Sequence, residues 1–285
     1  MGTERKNGWE IEMDTPISGR SEKPRDKGLT MIIDKGMGLR ELNDLLEIGG
    51  EYIDFLKLSF GTSYVYPRNI LQEKIALIRQ AKIDVYPGGT LFEVAVSKDS
   101  LVEYLYKGKE LGFTAIEISN GTINLSSNLR RKAIMNAHSL GYKVLTEVGK
   151  KDKSNSLSVS EIVHQVKSDI SNGAYKVIIE GRESGKGVSI YENDGSITRE
   201  MVQGILNGIN GNGDKLIWEA PLKSQQTFFI NEMGPDINLG NIEVGSVIAL
   251  EALRRGLRGD TFQHTLEQFG TDQSETENNP QAKAK

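Results

Sequence analysis

The segment Lys143–Asp152, KVLTEVGKKD, carries the pattern that decides the fold of this 285-residue chain. A short apolar run that stops at Glu147 is typical of a strand buried inside a parallel sheet. Gly149 turns the chain after it, and Lys150 and Lys151 follow where the strand stops. Charged side chains at a strand end are costly to keep in place without a function, so we expect a site to be built around them.

Short apolar runs of this kind alternate with amphipathic segments along most of the chain. The predicted strands are Leu29–Asp34, Tyr52–Leu58, Asp84–Tyr86, Ala115–Ser119, Lys143–Val148, Ala174–Glu180, Lys215–Glu219 and Ile237–Leu239. The predicted helices are Leu39–Ile48, Pro67–Ala81, Lys98–Leu111, Asn128–Leu140, Ser158–Ser171, Arg199–Gly208, Leu222–Met233 and Val244–Leu257. Eight strands alternating with eight helices predict an α/β fold, a single-domain (β/α)8 TIM barrel.

A doubly wound open sheet is the alternative architecture. It requires a glycine-rich GxGxxG turn after the first strand, and the sequence Gly36-Met37-Gly38 is too short for that motif. We expect residues 1–27 to form an N-terminal arm, residues 28–262 the barrel, and residues 263–285 a polar, disordered tail. From about residue 271 the sequence lacks apolar residues almost entirely, as disordered segments do.

Composition excludes several classes of protein. The chain is 37% apolar and 26% charged, which is typical of globular proteins. It has no membrane-spanning run and no secretory signal, so we expect a cytoplasmic protein without a membrane partner. With a net charge of −4 and no basic stripe we expect no nucleic-acid partner. The absence of cysteine excludes disulfides and thiolate metal sites.

In a barrel of this kind the active site lies at the carboxyl ends of the strands. Seven of the eight predicted strands end in ionisable or amide side chains. These strand-end residues are Asp34, Lys57, Ser59, Glu117, Ser119, Asn120, Glu147, Lys150, Lys151, Glu180, Arg182, Glu183, Glu219, Asn238 and Asn241. A single acidic residue at a strand end is more often a helix cap or a surface charge, but the convergence of so many predicts a site.

Four of these carboxylates stand within apolar runs and therefore repel one another unless cations are present. They are Glu117, Glu147, Glu180 and Glu219. A divalent ion, lysines or both are implied. Without cysteine or a histidine cluster, an oxygen-only site suits Mg²⁺ or Mn²⁺, and Mg²⁺ is preferred because it shares its coordination with substrate phosphates. Asp34 is the fifth candidate ligand.

Cations and glycine-rich loops indicate an anionic substrate. Lys57, Lys151 and Arg182 are the candidate catalytic cations, since they offer positive charge to an anion. Gly88-Gly89-Thr90 permits close approach of the backbone to a ligand, although a plain tight turn explains it equally well. The sequence GRESGKG lacks Walker spacing but fits a phosphate or sulfonate cradle. The candidate substrate-binding residues are Gly88, Gly89, Asn120, Ser184, Gly185, Lys186, Gly187 and Asn241.

Seven motifs in one order resemble the phosphosulfolactate synthase family, most closely its Bacillus-type members. They are DFLKLSFGTS, GGTLFE, IEISNGT, LTEVGKKD, KVIIEGRESG, IWEAP and GPDINLGNI. The resemblance implies a (β/α)8 barrel that adds sulfite to phosphoenolpyruvate in a Mg²⁺-dependent reaction, giving (2R)-phospho-3-sulfolactate. Such an enzyme is a lyase of the carbon–sulfur class that serves sulfolactate or coenzyme M biosynthesis.

The resemblance also implies roles for particular residues. By match to the VGxKD motif of the family, Lys151 is the expected general acid that protonates C2 of the substrate. Lys57, Arg182 and the loop Ser184–Gly187 are the expected partners of the phosphate, carboxylate and sulfite groups, and a homo-oligomer is expected. Two alternatives stay open: a non-catalytic, stress-associated barrel of the same family, and an aldolase-type barrel that uses Lys151 or Lys57 as a Schiff-base amine.

Overall fold

The structure is a computed structural model that describes residues 8–11, 13–149 and 157–267. These residues contain one parallel sheet in the order β3-β2-β1-β8-β7-β6-β5-β4. The strands are β1 (Thr30–Asp34), β2 (Phe55–Leu58), β3 (Asp84–Pro87), β4 (Ala115–Ile118), β5 (Lys143–Val148), β6 (Lys176–Ile179), β7 (Leu216–Glu219) and β8 (Leu239–Glu243). Consecutive strands are neighbours, and β1 pairs with β8, so the sheet curls into a barrel.

Helices connect the strands along the outside of the barrel. They are α1 (Leu39–Gly49), α2 (Thr62–Val65), α3 (Arg68–Gln80), α4 (Gly89–Ser97), α5 (Leu101–Leu111), α6 (Ser127–Ser139), α7 (Val159–Ser171), α8 (Arg199–Gly208), α9 (Lys223–Met233) and α10 (Val247–Arg254). The seam between β3 and β4 is joined by hydrogen bonds from the backbone of Thr114 to Val85 and from Val85 to the Thr114 hydroxyl. The predicted (β/α)8 TIM barrel is therefore confirmed.

Two separate apolar clusters define the core. The larger cluster lies between the outer face of the sheet and the helices. The smaller one fills the interior of the barrel and consists of Leu29, Met31, Phe55, Tyr86, Ala115, Leu145, Ile178 and Ile217. A barrel of this size has a packed interior rather than a pore, so a cavity can form only at an end of the strands.

The structure changes three of the predicted boundaries. The prediction of β8 at Ile237–Leu239 was placed too early, since the strand runs from Leu239 to Glu243. The predicted helix Lys98–Leu111 is preceded by a separate helix, α4, and Asp99 adopts a positive φ of 55° between the two. The predicted helix Val244–Leu257 begins as a 3-10 turn and ends at Arg254. Each error lies where a glycine or a turn interrupts the regular spacing of apolar residues from which the element was predicted.

The chain ends bear on two further expectations. Residues 13–27 contain no helix or strand, and Arg20 in this segment pairs with Glu251 at 3.2 Å. Residues 259–267 are helical, and residues 268–285 lie outside the described part of the chain. None of the helices in the described ranges is long and apolar enough to cross a membrane. The division at residues 27 and 262 and the homo-oligomer stay predictions.

Candidate active site

The site arises from the two-residue period of the strands. Side chains that point into the barrel recur at every second position, so each residue of the interior cluster is followed two positions later by another inward side chain. Counting on from Met31, Phe55, Tyr86, Ala115, Leu145, Ile178 and Ile217 gives Ile33, Lys57, Gly88, Glu117, Glu147, Glu180 and Glu219. All seven line one cavity at the carboxyl ends of the strands. An apolar layer is thus succeeded by a layer that is mostly charged.

This cavity has a volume of about 190 Å³, which suits a compact substrate. Its remaining walls come from the loops that follow the strands, from the first turn of α4 and from β8. They are formed by Ser59, Phe60, Gly89, Thr90, Arg182, Glu183 and Asn241. The lining therefore includes five carboxyl groups and two cations, and the structure brings most of the residues predicted at this end of the barrel together around one cavity.

Lys57 lies at the centre of the charged layer. Its Nζ atom is 2.9 Å from Oε2 of Glu117, 3.6 Å from Oε1 of Glu219 and 3.9 Å from Oε2 of Glu147. The lysine side chain is 12% exposed, and the three carboxylates are almost completely buried. The sequence implied that a divalent ion, lysines or both would offset the charge of the carboxylates. The structure places one lysine, Lys57, among three of those carboxylates.

The electrostatics of the cluster change the pKa of two groups. Burial raises the pKa of the Glu117 carboxyl to about 7; attraction by Lys57 lowers it, while repulsion by Glu147 and Glu219 raises it. Burial alone lowers the pKa of Lys57, but attraction by the carboxylates, Glu117 first, outweighs burial and holds that pKa well above 10.5. Lys57 is therefore a fixed cation near neutral pH, whereas the pKa of the Glu117 carboxyl lies close to neutrality.

Helix α4 packs against β4 and contacts the charged layer through its first residue, Gly89. The backbone N–H of Gly89 donates to Oε1 of Glu117 at 2.9 Å. A Cβ atom at Gly89 would lie 2.5 Å from Oε1 of Glu117 and 2.5 Å from Cβ of Ser119. The close backbone approach expected at Gly88-Gly89 therefore includes an approach to a carboxylate of the protein itself.

A second carboxylate of α4 lies deeper. Glu93 is 2% exposed, and its Oε1 atom accepts a hydrogen bond from the Ser119 hydroxyl at 2.7 Å. The same hydroxyl lies 2.8 Å from Oε1 of Glu147. Glu147 is also held through its backbone carbonyl, which accepts from Nη2 of the buried Arg130 at 3.0 Å. The orientation of Glu147 thus depends on residues outside the cavity.

Arg182 and Asn241 lie at the mouth of the cavity in unusual backbone conformations. Their φ angles are 57° and 55°, in the left-handed region that side chains rarely adopt. Nδ2 of Asn241 donates to the carbonyl of Arg182 at 3.2 Å, and the backbone N–H of Arg182 donates to Oε1 of Glu180 at 2.7 Å. Such strained residues are typical of functional sites, where the surrounding structure holds them in place.

Asp34 has a different environment from the other four candidate ligands. Its Oδ2 atom pairs with Nζ of Lys74 at 2.5 Å, and both side chains are fully buried. Its Oδ1 atom accepts from the backbone N–H groups of Gly36 and Met37, each at 2.8 Å. Asp34 does not line the cavity, and its contacts are those of a residue that organises the turn before α1.

Of the eight predicted substrate-binding residues, Gly88, Gly89 and Asn241 line this cavity and the other five do not. Asn120 lines a separate cavity beside Gly149 and His164. The carbonyl of Gly185 accepts from Nε2 of Gln225 in α9 at 2.7 Å, so this part of the loop packs against a helix. Ser184, Lys186 and Gly187 are likewise not among the lining residues. Lys151 lies outside the described residues, and its predicted role stays a prediction.

Sequence reasoning missed Phe60 in the wall, and Glu93 and Lys74 behind it. For Glu93 a signal exists, because it stands in the apolar run TLFEVAV just as Glu117 stands in AIEIS. The helix that carries it was not predicted, so the carboxylate could not be placed near a strand end. Lys74 has no comparable signal, because a lysine in an amphipathic helix is ordinarily solvated.

The fold and the charged cavity define a barrel enzyme with its site at the carboxyl ends of the strands. The family model for (2R)-phospho-3-sulfolactate synthase (ComA) matches residues 18–260, and the chain belongs to this family. A phosphosulfolactate synthase of Methanocaldococcus jannaschii is 45% identical over 83% of this chain and 94% of its own length. One from Bacillus subtilis is 38% identical over 89% of this chain and 98% of its own.

A solved structure supports the architecture alone. The YdjI aldolase from Escherichia coli K12 superposes with a TM-score of 0.53 at 12% identity, covering 86% of this chain and 91% of that one. The resemblance to the phosphosulfolactate synthase family is therefore confirmed by sequence, and the barrel by the structure. The family places the protein among enzymes that form a carbon–sulfur bond from small substrates.

Proposed function

We propose that this protein is a phosphosulfolactate synthase that adds sulfite to phosphoenolpyruvate, giving (2R)-phospho-3-sulfolactate. The observation that carries the proposal is the charged layer around Lys57, which lies in a barrel that matches the family along residues 18–260. The reaction makes a carbon–sulfur bond, so the enzyme is a lyase of the carbon–sulfur class.

The chemistry states what the site must do. The sulfur lone pair of sulfite forms a bond to C3 of phosphoenolpyruvate, and the C2–C3 π pair moves toward the carboxylate to give an aci-carboxylate. A proton is then delivered to C2. The site must therefore stabilise negative charge at the carboxylate end of the substrate and hold an acid beside C2, because charge stabilisation where charge develops is the largest contribution in such reactions.

Two described cations can bind the substrate anions. Lys57 stays protonated within its carboxylate cluster, and its ammonium group projects into the cavity from β2. Arg182 lies at the mouth, where a guanidinium binds a phosphate or carboxylate through two parallel hydrogen bonds. Lys151 is the proposed acid for C2, on the strength of the VGxKD motif.

The residues present fit Mg²⁺ by their chemistry. Five carboxyl groups line the cavity, and carboxylate oxygens are the ligands that Mg²⁺ prefers in proteins. No group of three or more acidic or histidine side chains in residues 8–11, 13–149 and 157–267 is arranged so that it could hold a metal ion by itself. Mg²⁺, however, is usually held by one or two carboxylates, waters and substrate phosphate. Glu147 and Glu180, on adjacent strands, are the proposed ligands. Mg²⁺ would supply stabilisation of the developing aci-carboxylate charge.

The Schiff-base alternative receives no support from Lys57. A lysine that attacks a carbonyl must be neutral, whereas the carboxylates around Lys57 hold its pKa well above 10.5. An activity assay separates the non-catalytic alternative from the proposed enzyme, because a non-catalytic barrel would not consume phosphoenolpyruvate.

The test mixes the purified protein with phosphoenolpyruvate and sulfite, with Mg²⁺ or with excess EDTA. We expect sulfite-dependent loss of phosphoenolpyruvate and formation of a phosphorylated sulfonate only in the Mg²⁺ sample. Phosphorus NMR and mass spectrometry would detect both changes. Lys151→Ala should abolish product formation, while the neighbouring Lys150→Ala should retain it. No sulfonate under any condition would refute the proposed function, and product formation in EDTA would refute the Mg²⁺ requirement alone.

A further inference from the structure

Glu93 is a buried carboxylate with an unusual number of donors. Its Oε1 atom accepts from the Ser119 hydroxyl at 2.7 Å and from the backbone N–H of Gly121 at 2.9 Å. Its Oε2 atom accepts from the N–H groups of Thr122 and Ile123 at 2.9 Å and 3.0 Å. One side chain from α4 therefore holds the loop that follows β4 by four hydrogen bonds.

The Ser119 hydroxyl connects this anchor to the charged layer. It lies at 2.7 Å from Oε1 of Glu93 and at 2.8 Å from Oε1 of Glu147, on β5, and its single proton is donated to one of these two acceptors at a time. The serine oxygen also accepts from the backbone N–H of Gly121 at 3.2 Å, in the loop that Glu93 anchors. Ser119 is fully buried at the end of β4, so water does not compete for either contact. The chain Glu93–Ser119–Glu147 thus runs from a helix outside the barrel to a carboxylate that lines the cavity.

The same helix controls a second carboxylate. The N–H of Gly89, at the start of α4, donates to Oε1 of Glu117, and no Cβ atom fits between them. Helix α4 therefore contacts two neighbouring carboxylates of the cavity, Glu117 directly and Glu147 through Ser119. A glutamate side chain has three rotatable bonds, and fixing one of its oxygens from behind leaves the other in a single direction.

We propose that Glu93 is a positioning residue, which acts through Ser119 to hold the Glu147 carboxylate in its catalytic orientation. The inference rests on the proposed function, because it assigns Glu93 a part in that reaction. Glu93 does not line the cavity and does not touch substrate. Anchoring the loop requires only the three backbone N–H groups, whereas the contact with Ser119 serves the carboxylate beyond it.

The experiment compares Ser119→Ala, Glu93→Gln and the double variant with the wild-type enzyme. The matched controls are Ser97→Ala, on the exposed end of α4, and Glu103→Gln, on the exposed face of α5. For each protein we would measure kcat, KM for phosphoenolpyruvate, and the midpoint of thermal unfolding. Partners that orient a ligand or catalytic group typically change activity by about 10- to 100-fold when removed.

We expect Ser119→Ala and Glu93→Gln each to lower kcat by about 10- to 100-fold, with KM changed by less than about 3-fold. In the Ser119→Ala background, Glu93→Gln should lower the unfolding midpoint further but leave kcat almost unchanged, because the serine that links it to Glu147 is already absent. The two control variants should match the wild type in all three quantities.

Three outcomes contradict the inference in distinguishable ways. An active wild type whose Ser119→Ala and Glu93→Gln variants keep the wild-type kcat, with only a lower unfolding midpoint, would show that Glu93 is a structural anchor alone. Losses of kcat that multiply in the double variant would show that Glu93 does not act through Ser119. A wild-type protein without sulfite-dependent activity would overturn the proposed function, and this inference with it.

Discussion

Replacing Glu117 by glutamine should remove a defined part of the pH dependence of stability. Burial raises the pKa of this carboxyl from 4.5 to about 7 in the folded protein. Between those two values the folded state keeps a proton that the unfolded chain releases, so ionisation of Glu117 lowers stability as the pH rises through this window. A shift of this size corresponds to about 3 kcal/mol, at roughly 1.4 kcal/mol for each pH unit.

The Glu117→Gln variant has no carboxyl group to ionise at this position. The difference between its free energy of unfolding and that of the wild type should therefore increase in favour of the variant by about 3 kcal/mol from pH 4.5 to pH 7.5. The assay is urea unfolding in EDTA at intervals of pH, followed by the fluorescence of the buried Trp218. Glu103→Gln, on the exposed face of α5, is the control and should follow the wild type throughout. Parallel profiles for Glu117→Gln and wild type would refute the raised pKa and the burial argument behind it.

Three further variants test the packing around the site. Lys57→Met should lower kcat by about 10²- to 10³-fold, since it removes the cation between three carboxylates; wild-type kcat in a steady-state assay would contradict this. Gly89→Ala should destabilise the fold by about 1–3 kcal/mol in urea unfolding, because its Cβ would lie 2.5 Å from two side-chain atoms; an unchanged midpoint would count against it. Asp169→Asn should cost about 3–5 kcal/mol by the same measurement, as it leaves Arg130 buried without its charged partner; a loss below about 1 kcal/mol would argue otherwise.

The strand pattern made the fold and the floor of the site predictable. Lys143–Val148 was placed with both ends correct, and its one inward carboxylate, Glu147, lines the cavity as expected. The reason is physical, because a parallel strand inside a barrel is buried on both faces and any charge within it is conspicuous. The same reasoning placed Glu117, Glu180 and Glu219 correctly at this end of the barrel.

Loops and helices were less predictable, because the sequence pattern there does not show which end of the barrel a residue lies at or which side chain it contacts. Asn238 was assigned to the site, but it precedes β8 and accepts from the N–H of Leu29 at 2.9 Å, at the amino ends of the strands. The prediction ended β8 at Leu239, four residues before its actual end at Glu243, and this error moved Asn238 from one end of the barrel to the other. Asp34 looked like the other strand-end carboxylates, and only the structure shows the lysine from α3 that pairs with it.

The carboxylates that line the cavity explain how this barrel can bind an anionic substrate. A site for anions that is lined mainly by carboxylates is contradictory unless those carboxylates hold cations in place. Lys57 is held in this way, since three carboxylates fix its ammonium group and keep it protonated. Glu147 and Glu180, which line the same cavity, are the proposed ligands of a divalent ion. The carboxylates therefore act as holders of positive charge, and the anionic substrate binds to what they hold.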